Sequence, residues 1–229
     1  MAVSTRQLDR SASRAAGRGR LLWTGLFAVA FGYLEAAVVV YLRALYYPDG
    51  FALPLRALPA EMLRIELGRE LATLVMLAAV AVLSGRRLGE RFGYFLFLFG
   101  LWDIVYYIGL WITLDWPASL LDWDILFLLP LPWLGPVIAP LLIAANMVGI
   151  GIAILWLYRQ GGRLRLPALS WLLGIAATAI LLYSFMRDTG ATLHQRAPEP
   201  YAYGWLAAGL ALYGIAYAIA RLASRREAP

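Results

Sequence analysis

The chain has 229 residues, 62% of them hydrophobic and 15% charged, with a mean hydropathy of +0.70; a water-soluble domain is about 45–50% apolar and about 25% charged, and one core of this length cannot hide the excess. There is no cysteine, which excludes disulfides, thiolate metal sites, cysteine nucleophiles and iron–sulfur clusters. The net charge is +6 and all 20 basic residues are arginine, but they flank apolar runs and are not interleaved with aromatics on a polar face, so they read as membrane topology and not as nucleic-acid binding.

Residues 1–20 are polar and arginine-rich and read as a disordered, basic cytoplasmic tail. The apolar run from Leu21 is longer than the roughly 7–15 residues of a signal-peptide core. It carries Glu35 and lacks a small-residue cleavage site, so it reads as a retained first helix. Runs of spanning length fall at 21–42, 63–84, 92–114, 136–158, 167–186 and 202–220, before a second cytoplasmic tail at 221–229. They are continuous, whereas barrel strands alternate over about ten residues. The expected fold is an all-α integral membrane protein, a six-transmembrane-helix bundle within its lipid bilayer. Fourteen arginines lie in the tails and in the turns after the second and fourth spans; Arg43, Arg56, Arg64, Arg69, Arg187 and Arg196 lie elsewhere. That asymmetry predicts both termini on the cytoplasmic side of a bacterial-type inner membrane. The triplets Phe31-Gly32-Tyr33 and Phe92-Gly93-Tyr94 sit at different depths in their spans, so no inverted repeat of the transporter kind is supported.

Ionisable groups within spans are costly, about 2.5–3.5 kcal/mol each at mid-helix, and persist when paired, hydrated or functional. Here they are Glu35 in the first span, Glu66, Arg69 and Glu70 in the second, and Asp103 in the third. Helical rise sets Glu35, Glu66 and Glu70 within about 5–11 Å of the outer end and Asp103 near mid-membrane. Glu66, Arg69, Glu70 and Thr73 share one helix face, as do Asp103, Tyr106 and Tyr107. An outward-facing carboxylate and tyrosine pocket follows, with Asn146, Thr178 and Tyr183 as weaker candidates for its lining. Four acids against one arginine leave surplus negative charge, to be met by a proton, a cation or a cationic ligand. The alternative is a polar knot that fixes helix packing.

Between the third and fourth spans, Ile125 to Leu129 is too short to cross a membrane, and Pro130, Pro132, Pro136 and Pro140 forbid one continuous helix. A short interfacial or re-entrant helix is expected, N-capped by Ser119 or Asp122. It is either part of an aromatic belt or a lid with Asp122, Trp123 and Asp124 at the pocket mouth. The loop after the first span is expected to close the other side. His194, the one histidine, lies in the last outer loop and reads as solvated.

No zinc-protease motif, no serine–histidine pair or haem-binding histidine pair within the spans, and no phosphate-binding loop is present. Glu66-x-x-x-Glu70 is similar to the E-x-x-x-E element of undecaprenyl pyrophosphate phosphatases, over five residues and without that family's proline- and serine-rich motif. The resemblance implies chemistry on a lipid-linked substrate at the outer face. Three functions fit the residues. One is a small proton- or cation-coupled permease. The second is a membrane-embedded enzyme on a lipid or polyprenyl substrate, its carboxylates serving as acid, base or metal ligands. The third is an accessory subunit of a membrane complex. No cofactor is evident; a divalent cation would fall to Glu35, Glu66, Glu70 and Asp103.

Overall fold

The computed structural model describes residues 5–48, 59–194, 196 and 198–225, with only the backbone given for 5–16, 18, 192, 193 and 225. Its elements are α1 (Thr5–Tyr46), α2 (Ala60–Ser84), α3 (Leu88–Leu114), β1 (Trp123–Phe127), β2 (Trp133–Pro136), α4 (Ile138–Arg159), α5 (Ala168–Met186), α6 (Thr189–Leu193) and α7 (Tyr203–Arg225). Six helices are long and apolar enough to span a membrane. Their outward faces carry exposed large apolar side chains, among them Trp23, Leu83, Ile112 and Leu172, as lipid-facing helices do. This is the architecture of a polytopic membrane protein. α1 begins at Thr5, so residues 5–20 of the segment expected to be a disordered tail are helical.

Polar contacts at the helix ends establish an up-and-down order. The Arg20 guanidinium donates to the Ser84 carbonyl at 3.1 Å, setting the arginine-rich start of α1's apolar run beside the end of α2. Arg159, at the end of α4, donates to the Gly17 carbonyl at 2.5 Å. The Arg165 amide donates to Ser224 Oγ at 3.0 Å, joining the start of α5 to the end of α7. One end of the bundle is therefore rich in arginine; the segment between α3 and α4 covers the other.

α3 is the central helix and packs on α1, α2 and α4, whereas α5 packs chiefly on α7. The α3–α4 contact is close because small residues face each other. A Cβ on Gly151 would lie 2.7 Å from the Gly93 carbonyl oxygen and 2.8 Å from the Phe97 amide nitrogen, backbone groups that cannot step aside.

The expected helix between the third and fourth spans is absent, and the chain is accordingly not all-α. β1 and β2 form an antiparallel hairpin, with Trp123 opposite Pro136, Asp124 opposite Gly135, Ile125 opposite Leu134 and Phe127 opposite Trp133. The ladder continues at its base, where Val137 N–H donates to the Asp122 carbonyl at 2.9 Å and Ile138 N–H to that of Leu120 at 2.8 Å. Tryptophan, isoleucine and phenylalanine in β1 favour strand. Pro130, Pro132 and Pro136 lack the N–H groups a helix needs. Ser119 and Asp122 do not cap a helix but close a turn, in which Ser119 N–H donates to Asp122 Oδ2 at 3.1 Å and Leu121 N–H to Ser119 Oγ at 3.1 Å.

The hairpin joins the two helical groups. Phe127 packs on the core of Ala28, Phe31, Leu98 and Trp102, while Trp123, Leu126 and Trp133 pack on Leu181, Phe185 and Tyr201. Gly151→Ala should lower thermal stability in detergent by about 1–3 kcal/mol, the usual cost of overpacking. Gly149→Ala on the same helix, where nothing lies within 4 Å, should leave it unchanged or raise it slightly. Equal midpoints for the two variants would count against this packing.

Candidate functional site

Three spans bring acids to one level. Asp103 lies 11 residues before the end of α3, Glu35 lies 11 before the end of α1 and Glu70 lies 10 after the start of α2. At about 1.5 Å per residue each is roughly 15–17 Å from the hairpin end of its helix, near the middle of a hydrocarbon layer about 30 Å thick.

Arg69 neutralises two of the acids. It pairs with Glu35 across the α1–α2 contact, and its Nε donates to Glu66 Oε2 at 2.8 Å along its own helix. Thr73 Oγ1 donates to Glu35 Oε2 at 3.2 Å. Glu35, Glu66, Glu70 and Thr73 are all buried. Removing one partner of such a buried group strands the others, at about 3–5 kcal/mol, whereas replacing the whole set by neutral side chains is far less damaging. Arg69→Met should therefore abolish folded protein on size-exclusion chromatography. Glu35→Gln/Glu66→Gln/Arg69→Met together should restore a monodisperse peak; an unaffected single variant would refute the pairing.

Glu70 meets a different partner. The Leu128 N–H, at the hairpin tip, donates to both of its carboxylate oxygens at 3.0 Å. That bond brings the tip to the level of the mid-helix acids, and its backbone is held inside protein, where irregular structure is tolerated. A second tie holds its flank. Arg43 donates to Asp124 Oδ1 at 3.3 Å and the Tyr107 hydroxyl to Asp124 Oδ2 at 3.1 Å. The Arg43 guanidinium also lies 3.8 Å from the centroid of the Trp116 ring, a cation–π contact. On the far side Thr189 Oγ1 donates to the Pro132 carbonyl at 2.9 Å.

Beneath the hairpin is a cavity of about 70 Å³, lined by Glu35, Arg69, Glu70, Thr73, Asp103, Tyr106 and Tyr107 together with Trp102 and the β1 residues Ile125 to Phe127. A void this size with polar walls has room for water, which needs only about 10–15 Å³ of such space per molecule. Two of its polar groups lack partners: no described residue hydrogen-bonds or ion-pairs with Asp103, and the buried Trp102 Nε1 has no acceptor.

The expected pocket residues thus converge, with differences. Glu66 stands behind Arg69 and does not line the cavity. Of the expected mouth residues, Asp124 is buried in the site, Asp122 makes the turn with Ser119, and Trp123 packs edge-on against Tyr201. Asn146 and Thr178 line a different cavity, and Tyr183 is exposed against Trp205. His194 is exposed, with Nδ1 3.0 Å from the Gly190 carbonyl of its own turn. Most of the loop expected to close the other side, 49–58, lies outside the described residues. Glu66 and Glu70 turn to separate partners, so the E-x-x-x-E pair does not act as one unit. Among the described residues no three acidic or histidine side chains form a group able to hold a metal ion. Arg43 was not anticipated as a site residue, although it stands two turns beyond Glu35 on the same stripe of α1.

Asp124 belongs to the hairpin, outside the spans. Burial raises its pKa to about 6 against the opposing pull of Arg43 and the Tyr107 hydroxyl. Between the ordinary aspartate value of about 4 and that level, the native state keeps a proton that the unfolded chain has released. Its contribution to stability therefore falls as the pH rises through this window and is level above it. Asp124→Asn should remove that slope, seen as the wild-type-minus-variant difference in unfolding midpoint between pH 4 and 7; a difference that does not vary with pH would contradict it.

No protein-family model, curated protein or solved structure matches the chain.

Proposed function

We propose that this polytopic membrane protein is a small permease driven by protons or monovalent cations, its termini and arginine-rich end cytoplasmic in a bacterial-type inner membrane and its hairpin end outside. The observation that carries the reading is Asp103, a mid-span carboxyl facing a small polar cavity with no counter-charge bonded to it among the described residues. Five acids surround the site (Glu35, Glu66, Glu70, Asp103 and Asp124) against Arg43 and Arg69. Arg69 serves Glu35 and Glu66, Arg43 serves Asp124, and a backbone amide serves Glu70. Asp103 is left to bind something from solution. An unpaired carboxylate at that depth is stable only with a proton or cation bound, and taking up and releasing such a partner is what coupling requires.

Two features favour a carrier over an enzyme acting on a lipid headgroup. The cavity, about 70 Å³, is far below the roughly 300–1,000 Å³ of pockets for larger ligands, and suits an ion with a few waters. The hairpin is tied to α1, α2 and α3 through side chains that themselves ionise, so occupancy of the cavity and seating of the hairpin are linked by charge. The arginine asymmetry supports the orientation.

The test is charge displacement on a solid-supported membrane carrying the reconstituted protein, read after a jump in pH or in sodium concentration. Wild type should give a transient current to one of them, and Asp103→Asn, still monodisperse, should lose most of it, because the substitution removes the ionisable group the coupling needs. Equal currents from wild type, Asp103→Asn and protein-free membranes under both jumps would sink the proposal and leave the polar knot of an accessory subunit.

A further inference from the structure

α5 and α7 form a pair that meets the α3–α4 pair only sparsely. Towards the arginine-rich end the two pairs part around a second cavity of about 370 Å³, more than five times the volume of the carboxylate site. Its walls are almost wholly apolar, with Phe95 of α3, Met147 of α4, Gly174 of α5 and Tyr217 of α7 among them. Its polar lining groups are Asn146, Ser170, Thr178, Tyr213 and Tyr217. Toward mid-helix the Thr178 hydroxyl and the Tyr213 hydroxyl lie 2.6 Å apart and link α5 to α7. At the other limit stands Ser170, in the first turn of α5, which is 4% exposed and whose hydroxyl has no hydrogen-bond partner. The first turn of a helix also presents backbone N–H groups without intrahelical acceptors, a ready site for an anion. Arg163 and Arg165 lie in the connection that enters α5, and Arg221 in the closing turns of α7.

The length of the cleft matches one layer of lipid. From Ser170 to Thr178 it runs eight residues, about 12 Å by helical rise, against about 15 Å for half of a 30 Å hydrocarbon core. It is apolar where acyl chains lie. At the headgroup end Leu164, Leu166 and Ser170 line it, with Arg163 and Arg165 alternating with the two leucines in the same connection, and the Ser170 hydroxyl there suits a phosphate.

We propose that this cleft is a binding site for one anionic phospholipid of the leaflet at the arginine-rich end. One acyl chain lies between the α3–α4 and α5–α7 pairs, and the phosphate is received by Ser170 Oγ, the amides of the first turn of α5, Arg163 and Arg165. The lipid completes the packing that the side chains leave open. The site is separate from the carboxylate cavity and stands or falls independently of any role in transport.

Native mass spectrometry tests it, on protein exchanged into mild detergent with equimolar phosphatidylglycerol and phosphatidylcholine. Wild type should retain one lipid, chiefly phosphatidylglycerol. Gly174→Phe places a ring where nothing now lies within 4 Å of the backbone and should lose it. Arg163→Gln/Arg165→Gln should still retain a lipid but with its anionic preference reduced, by about fivefold for each arginine near an anionic surface. Wild type that releases all lipid, or Gly174→Phe that retains it equally, would overturn the proposal. A second measurement needs no variant: phosphatidylglycerol with a photoreactive acyl chain, irradiated with wild-type protein in vesicles. Adducts should map to Phe95, Met147 and Tyr217. Adducts confined to outward-facing residues such as Leu83 and Ile112 would overturn it equally.

Discussion

In a medium without water, every charge and every backbone polar group has to be satisfied from within the chain, and in this bundle Arg69 is where that requirement is met most economically. One guanidinium draws Glu35 of α1 to α2 and holds Glu66 against its own helix. With those acids neutralised, the remaining polar groups become available for other work. Glu70 reaches the hairpin, Asp103 faces the cavity, and Arg43 clamps Asp124. The carboxylate site is thus a set of graded solutions to one problem, from fully paired to unpaired, arranged at one depth.

The hairpin is the second consequence of the same constraint. A β-strand inside a helical bundle must find partners for its edge amides, and this one has three means. β1 and β2 satisfy each other, Glu70 receives the amide at the tip, and Pro130, Pro132 and Pro136 bring no N–H to be satisfied. Proline, which prevents a helix here, is in that respect suited to a buried turn. Aromatic stacking fills the space on either side, Phe127 on Phe99 and Trp133 on Phe185.

Much of this was legible in the sequence, for physical reasons that also mark where legibility ends. Spans show themselves because the bilayer imposes length and continuous apolarity on each one separately. Glu66, Arg69, Glu70, Asp103, Tyr106 and Tyr107 could be grouped because helical spacing fixes which residues share a face. What spacing cannot tell is which neighbour a face meets. Asn146 and Thr178 look like Asp103 in sequence, polar groups in apolar helices, yet they face the other cavity. The short run Ile125 to Leu129 suits a strand or a helix by periodicity alone; the β-forming residues of WDILF and the prolines that follow were the better guide. The bond from Leu128 to Glu70 carries no local signature, since its donor is backbone and its acceptor lies 58 residues earlier.

The depth of the hairpin also sets an order on how the protein can be made. Its ties span 58 and 81 residues, so α1, α2 and α3 are synthesised before the segment that covers their acids exists. Arg69 and Glu66 travel within one helix, and Glu35 is already present on the helix before it. These can pair as soon as two spans meet in the bilayer. Glu70 and Asp103 cannot be covered so early. A nascent chain that has emerged only as far as α3 holds an open polar seam along its lipid-facing surface, the kind of surface that membrane insertases shield and quality-control proteases detect. In the finished protein the hairpin covers that seam, with Leu128 on Glu70 and Asp124 on Arg43.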